Sequence, residues 1–137
     1  MKSIHYILIF YLIFTISCTE NNSENNQDVQ KENNLLTTIR FDNEIIDFGD
    51  VKQGDTLTAR YSFKNSGAND LIIDYVNPEC GCTSYTISQK RILASDSGYI
   101  NLVIDTYDKI GNVNIYAIVK SNTKDKFNRL LVKANIK

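Results

Sequence analysis

The sequence predicts an all-β domain, a two-sheet antiparallel sandwich of seven or eight short strands, and three observations lead there. Apolar and polar residues alternate with a period of two in several runs, as from Leu57 through Ala59, Tyr61 and Phe63 against Thr58, Arg60, Ser62 and Lys64. Turn-forming residues punctuate these runs at intervals of about 8–12 residues, the spacing of sandwich strands. No ten-residue stretch carries a convincing helical period. A closed barrel would share the alternation, but the chain is short for a barrel that encloses a ligand.

Taken in order, the first strand-like pieces are Thr37 to Asp42 and Glu44 to Phe48. Gly49-Asp50 and Gln53-Gly54-Asp55 bracket a turn, because glycine accepts the positive φ that other residues resist. Thr56 to Asn65 is the clearest strand, and Asn65-Ser66-Gly67-Ala68-Asn69 turns the chain after it. Leu71 to Val76 follows, then a cysteine segment, then Thr83 to Ile87. A polar loop from Ser88 to Ser97 leads into Tyr99 to Asp105, where Ile100, Leu102 and Ile104 share a face. After a turn at Asp108 to Gly111, Asn112 to Lys120 points Val113, Ile115, Ala117 and Val119 inward. Phe127 to Ile136 closes the domain with Leu130, Val132, Ala134 and Ile136 on one face.

The region before this domain has a different composition. Residues 1–17 read as an export signal: Lys2, then an apolar run from Ile4 to Ile16 that falls short of the ~20 residues a membrane span needs. Ile16-Ser17-Cys18 resembles a bacterial lipoprotein cleavage site, with Thr15 where leucine is usual. On that reading the Cys18 thiol is alkylated by diacylglycerol and becomes the mature N-terminus, and several acyl chains hold a bilayer far better than one. Residues 18–35 would be the lipidated cysteine and a tether, rich in asparagine with Glu20, Glu24, Asp28 and Glu32 and only Val29 as an aliphatic before Leu35. Such a segment cannot offset its ordering entropy and is expected to be disordered, spanning roughly 20–25 Å. Residues 36–137 form the sandwich.

Composition excludes several kinds of function. The net charge of the 137-residue chain is -1, with no basic block, which gives nucleic-acid binding little electrostatic support. The sole histidine, His5, lies in the leader, so the mature chain would lack the usual general base and the commonest metal ligand. Hydrolytic chemistry built on Ser-His or Cys-His pairs is thereby excluded.

The chemistry-bearing candidates are Cys80 and Cys82, in Asn77-Pro78-Glu79-Cys80-Gly81-Cys82-Thr83. Four readings stand side by side. In a structural one, Pro78 bars a helix, Gly81 allows a tight reversal, two small thiols plug one end of the sandwich, and the Thr83 hydroxyl satisfies a backbone group. In the second, an oxidising compartment closes a small disulfide ring across Gly81. Its Cα atoms would lie near the upper end of the allowed separation, and so short a loop stabilises little, which makes the bond labile. In the third, two thiolates hold copper, as Cu(I), which suits them better than four-coordinate zinc. In the fourth, the pair performs thiol–disulfide catalysis. That needs a helix N-terminus or a cation at the thiol, and the sequence places neither helix nor lysine beside Cys80, while Glu79 acts the other way. Asp96, Asp105 and Asp108 could line a cation loop, although their spacing matches no calcium motif. Tyr85, Tyr99, Tyr107 and Tyr116 could form a sugar-binding face, although tyrosine is also an ordinary strand residue.

Several segments carry a resemblance in order: Ile46-Asp47-Phe48-Gly49-Asp50-Val51, then Gly54, then Tyr61-Ser62-Phe63-Lys64-Asn65-Ser66-Gly67, then Leu71-Ile72-Ile73, then Cys80-Gly81-Cys82-Thr83. This set resembles an uncharacterised domain-of-unknown-function family of exported bacterial proteins, often lipid-anchored, with a Cys-Gly-Cys-Thr signature. That family is similar to PapD-like and ciliary-type immunoglobulin-like sandwiches. The likeness covers about residues 40–122. It departs at Leu93-Ala94-Ser95-Asp96, where such proteins usually carry Pro-Gly. The resemblance implies an immunoglobulin-like fold, with Phe48, Gly49, Gly54, Phe63, Asn65, Gly67, Gly81 and Thr83 as structural positions, and an envelope location. It implies no activity. The expected protein is a non-catalytic, membrane-anchored interaction or accessory module with a protein partner and no cofactor. The alternative is a copper-binding or thiol-redox protein acting through Cys80 and Cys82.

Overall fold

The computed structural model describes residues 35–137, all of it strand, turn and loop. The expected signal peptide, the Cys18 anchor and most of the tether lie outside the described residues. The strands are β1 (Ile39–Phe41), β2 (Ile45–Val51), β3 (Thr56–Asn65), β4 (Leu71–Pro78), β5 (Thr83–Ile87), β6 (Arg91–Ile92), β7 (Ser97–Asp105), β8 (Gly111–Ser121) and β9 (Phe127–Ile136). They make two sheets, one ordered β1-β3-β7-β5 and the other β2-β9-β8-β4-β6. The fold is an immunoglobulin-like β-sandwich.

The alternation in the sequence places the core. Ala59, Tyr61, Phe63, Ile100, Leu102 and Ile104 come from the first sheet, and Ala117, Val119, Leu130, Val132 and Ile136 from the second, all fully or nearly fully buried. Because side chains alternate across a strand, each strand in the middle of a sheet contributes every second residue to this layer. Tyr61 also ties the sheets together, its hydroxyl donating to the Leu131 carbonyl at 2.8 Å. Burial pushes its phenol well above the usual tyrosine range.

Three features differ from the sequence-based expectation. The β2–β9 pair is parallel, as is the isolated Thr37–Thr123 bridge, while the other strand pairs are antiparallel. Gly49-Asp50 is not a turn: β2 runs on to Val51 through a register shift between Asp47 and Asp50, with Gly49 at φ 64. Such a bulge takes a glycine at positive φ without steric cost. The Ser88–Ser97 segment is not all loop, because Arg91 and Ile92 pair with Ile72 and Leu71 and Ile92 is fully buried.

Candidate functional site at the Cys80–Cys82 turn

β4 ends at Pro78 and the chain reverses into β5. The Thr83 N–H donates to the Cys80 carbonyl at 3.0 Å and closes the turn. The next step of the ladder pairs the Asp105 N–H with the Cys82 carbonyl at 3.0 Å, docking the turn on the end of β7. Cys80 and Cys82 are joined by a disulfide with a Cα–Cα separation of 5.2 Å. That separation lies mid-range for a disulfide, not at its upper end as the spacing alone suggests. Both cysteines are half-buried against the core, and Gly81 is exposed. Gly81 keeps ordinary backbone angles and a Cβ there would meet nothing, so the reversal does not depend on glycine. Thr83 uses its backbone to close the turn. Its hydroxyl lies 3.6 Å from Cys82 Sγ, where the bonded sulfur can only accept, so it does not satisfy a backbone group as expected.

The charge environment of Cys80 differs from the sequence reading. The Lys109 ammonium donates to Cys80 Sγ at 3.4 Å, and the Cys82 N–H donates to the same sulfur at 3.3 Å. The loop carrying Lys109 is pinned on both sides. Thr106 is fully buried, its hydroxyl donating to the Asp55 carbonyl at 2.7 Å, and the Gln53 side-chain amide donates to the Tyr107 carbonyl at 3.0 Å. The Lys109 N–H returns to the Thr106 carbonyl at 3.1 Å. Two clefts open beside the turn. One of about 330 Å³ is lined by Glu79, Cys80, Lys109 and Tyr116, among others, and one of about 290 Å³ by Gly81, Cys82, Asp105, Tyr107, Asp108 and Lys109.

The other candidates disperse. Asp96 precedes β7 and Asp105 ends it, so roughly 30 Å of strand separates them and no shared cation loop forms. Asp105 instead accepts the Tyr107 N–H at 2.9 Å. Among the described residues no cluster of three or more His, Cys, Asp or Glu side chains is placed to hold a metal. In the bonded form neither sulfur is a thiolate, so copper would require prior reduction. The tyrosines make no common platform. Tyr85 pairs with the inward-facing Leu102, whereas Tyr99 pairs with Ser88 on the outer face of the same sheet. Tyr99 stacks under Arg60 at 3.7 Å, and Tyr116 lies on the second sheet under Arg129 at 4.5 Å. Tyr107 is in the loop after β7.

Of the structural positions, Gly81, Thr83 and Gly54 lie at this end of the sandwich, whereas Phe63, Asn65 and Gly67 lie at the opposite end of β3. Asn65 is fully buried, and its Nδ2 donates to the carbonyls of Asn69 (2.8 Å), Ile92 (3.0 Å) and Leu93 (3.2 Å). Its Oδ1 accepts from the Thr37 hydroxyl at 2.7 Å and from the Gly67 N–H at 3.2 Å. Gly67 packs so closely that a Cβ would lie 2.7 Å from the Thr38 backbone nitrogen. Phe63 is buried under the edge of Phe41, Phe48 packs partly against the core, and Gly54 turns at φ 89.

The family model described as "Protein of unknown function (DUF1573)" matches residues 39–136. No curated protein matches the chain. Among solved structures, a protein of unknown function from Porphyromonas gingivalis W83 is similar at TM-score 0.65 and 17% identity, over 73% of this chain and 47% of that one. The secreted serine protease VesC from Vibrio cholerae is similar at TM-score 0.54 and 14% identity, over 80% of this chain and 25% of that one. The ASH/PapD-like domain 7 of human CEP192 follows at TM-score 0.53 and 13% identity, over 74% and 87%. The chain thus spans about half the length of the first and a quarter of the second. At these identities the likeness shows the fold, which is shared with PapD-like domains, and the family match indicates no catalytic class.

Proposed function

The chain belongs to the DUF1573 family of proteins of unknown function, and on that premise we propose that it is a lipid-anchored module of the bacterial cell envelope that binds a protein partner and performs no catalysis of its own. The anchor is Cys18 and the tether carries the sandwich clear of the bilayer.

One observation supports the binding role above others: among the described residues no strand pairs with the outer edge of β5. Four strands end the two sheets, and three of them carry features that discourage pairing. β1 has three residues, β6 has two, and β2 carries Asp47 and Asp50 around its bulge. β5 reads Thr-Ser-Tyr-Thr-Ile, with no charge, proline or glycine. The Ser88 N–H donates to the Tyr99 carbonyl and the Asp105 N–H to the Cys82 carbonyl. Antiparallel alternation therefore commits Ser84 and Thr86 to β7 and turns the backbone groups of Tyr85 and Ile87 outward. An extended segment of a partner would add there as a further strand.

Tyr85→Pro tests this, because it removes an outward N–H and leaves the β7 ladder intact. With a photo-crosslinking residue at Ser84 in intact cells, a discrete adduct is expected that Tyr85→Pro abolishes while the thermal midpoint stays within a few degrees. Adduct formation unaffected by the proline, in a folded variant, refutes the edge. Mass spectrometry of the mature N-terminus tests the anchor separately, since an unmodified Cys18 thiol rules out lipidation.

A further inference from the structure

We propose that the Cys80–Cys82 bond is a thiol–disulfide exchange site, opened by an uncharged or cationic thiol at Cys82 with Cys80 as the leaving sulfur held by Lys109. This goes beyond the partner-binding reading and depends on neither the anchor nor the β5 edge.

The asymmetry of the two sulfurs carries the assignment. Cys80 Sγ receives two donors, the Lys109 ammonium at 3.4 Å and the Cys82 N–H at 3.3 Å. Among the described residues, Cys82 Sγ has only the neutral Thr83 hydroxyl, at 3.6 Å. When a disulfide breaks, the departing sulfur takes the electron pair, so the bond opens fastest towards the sulfur whose negative charge is best stabilised. An ammonium beside a sulfur stabilises its thiolate. Cys80 is therefore the leaving group and Cys82 the sulfur attacked.

The step balances. The thiolate RS⁻ attacks Cys82 Sγ, forming an R–S–Sγ bond as the Cys80–Cys82 bond breaks, and the negative charge passes to Cys80 beside Lys109. A second thiolate attacks the sulfur of R. It forms RSSR and releases Cys82 as a thiolate that takes a proton from water. The two thiols lose the two electrons that the protein disulfide gains.

Access and charge select the reactant. The exposed Gly81 leaves the ring open to solvent, and the cleft of about 290 Å³ lies along Cys82. That cleft is lined by the carboxylates of Asp105 and Asp108 against the single cation of Lys109, and Glu79 adds a further carboxylate on the Cys80 side. The surplus of negative charge disfavours an anionic thiol.

The purified full-length chain tests this. Prepared without reductant and alkylated, it should take no label at Cys80 or Cys82. Treated with 2-mercaptoethanol in the presence of iodoacetamide, it should give a peptide alkylated at Cys80 and carrying the mercaptoethanol adduct at Cys82. Lys109→Gln should slow opening severalfold, because the leaving thiolate loses the cation beside it, and Lys109→Arg should restore it. At equal thiolate concentration 2-mercaptoethanesulfonate should react more slowly than 2-mercaptoethanol. The assignment is overturned by labelling of both cysteines without reductant, by adducts on Cys80 or shared equally, by an unchanged rate in a folded Lys109→Gln, or by a sulfonate that reacts as fast.

Discussion

The two ends of the sandwich solve opposite problems with similar materials. At the end where β3 turns towards β4, Asn65 is fully buried and its side chain engages five partners spread over three segments of chain. At the end where β4 turns into β5, buried Thr106 pins the loop, but the groups around the bond lie on or near the surface: a half-buried disulfide, a lysine against one of its sulfurs, and carboxylates around two open clefts. A buried amide with every group satisfied gives stability and a single conformation. A half-buried bond in a tiny loop gives little stability and stays within reach of solvent. In this protein, fold and chemistry are kept at opposite ends.

The sharpest way to break that contrast is Asn65→Ala. It leaves the Ile92 carbonyl without its side-chain donor and the Thr37 hydroxyl without its acceptor, inside the protein, while the Leu93 carbonyl keeps the Asp96 N–H. Each stranded group costs on the order of 1–3 kcal/mol, so a loss of about 4 kcal/mol in urea unfolding is expected. A loss under about 1 kcal/mol would mean that the hub is decorative.

Glycine substitutions sharpen the same contrast at about half that size. An added Cβ at Gly67 would sit 2.2 Å from the Thr37 hydroxyl oxygen and 2.7 Å from the Thr38 nitrogen, and backbone cannot step aside cheaply. Gly67→Ala should cost about 2 kcal/mol, in the range of overpacking. At Gly81 the same Cβ meets nothing and φ is ordinary. Gly81→Ala should stay within about 0.5 kcal/mol of the parent by urea midpoint.

Reducing the Cys80–Cys82 bond should cost somewhat less than Gly67→Ala. The bond closes a loop spanning a sequence separation of only 2, for which the chain-entropy estimate is about 1.5 kcal/mol. The reduced chain should therefore stay folded at room temperature, with a cooperative melt at a modestly lower midpoint. Unfolding on reduction would make the bond structural and erase the division between the two ends.

How much of this was legible in the sequence depends on what encodes each feature. β3 and β9 announce themselves because a half-buried strand must alternate, and every inward residue from Ala59 to Phe63 and from Leu130 to Ile136 is buried as the period requires. β6 has two residues and one apolar side chain, too short to show a period. The parallel pairing of β2 with β9 leaves no mark on either strand's own pattern. The departure at Leu93–Asp96 was visible but not its resolution: the Asp96 N–H closes a turn on the Leu93 carbonyl, and Ser95 takes φ 69 where glycine would be comfortable. The two cysteines were legible as a pair. Lys109 was not, because it lies 29 positions from Cys80 and only the β5–β7 register brings its loop to the turn.

The smallest effect lies among the exposed contacts. Asp50, on β2, accepts from the Lys137 ammonium and from the Asn135 side-chain amide at 2.7 Å, and these bonds hold its carboxyl below its ordinary value of 3.8. A depressed folded value means that the unfolded chain binds the proton more readily, so the contribution is present above about pH 4 and is lost as pH falls through the folded value. The gap in stability between the parent and Asp50→Asn should be flat near neutrality and shrink below pH 3.8. Because the carboxyl is open to water, added salt should weaken the contribution at neutral pH as well. The Asn65 hub, with no charge and no solvent, should respond to neither pH nor salt. Urea titrations at pH 3 and 7, each in low and high salt, read both: a salt-sensitive hub, or a salt-insensitive Asp50, contradicts the assignment of the two ends.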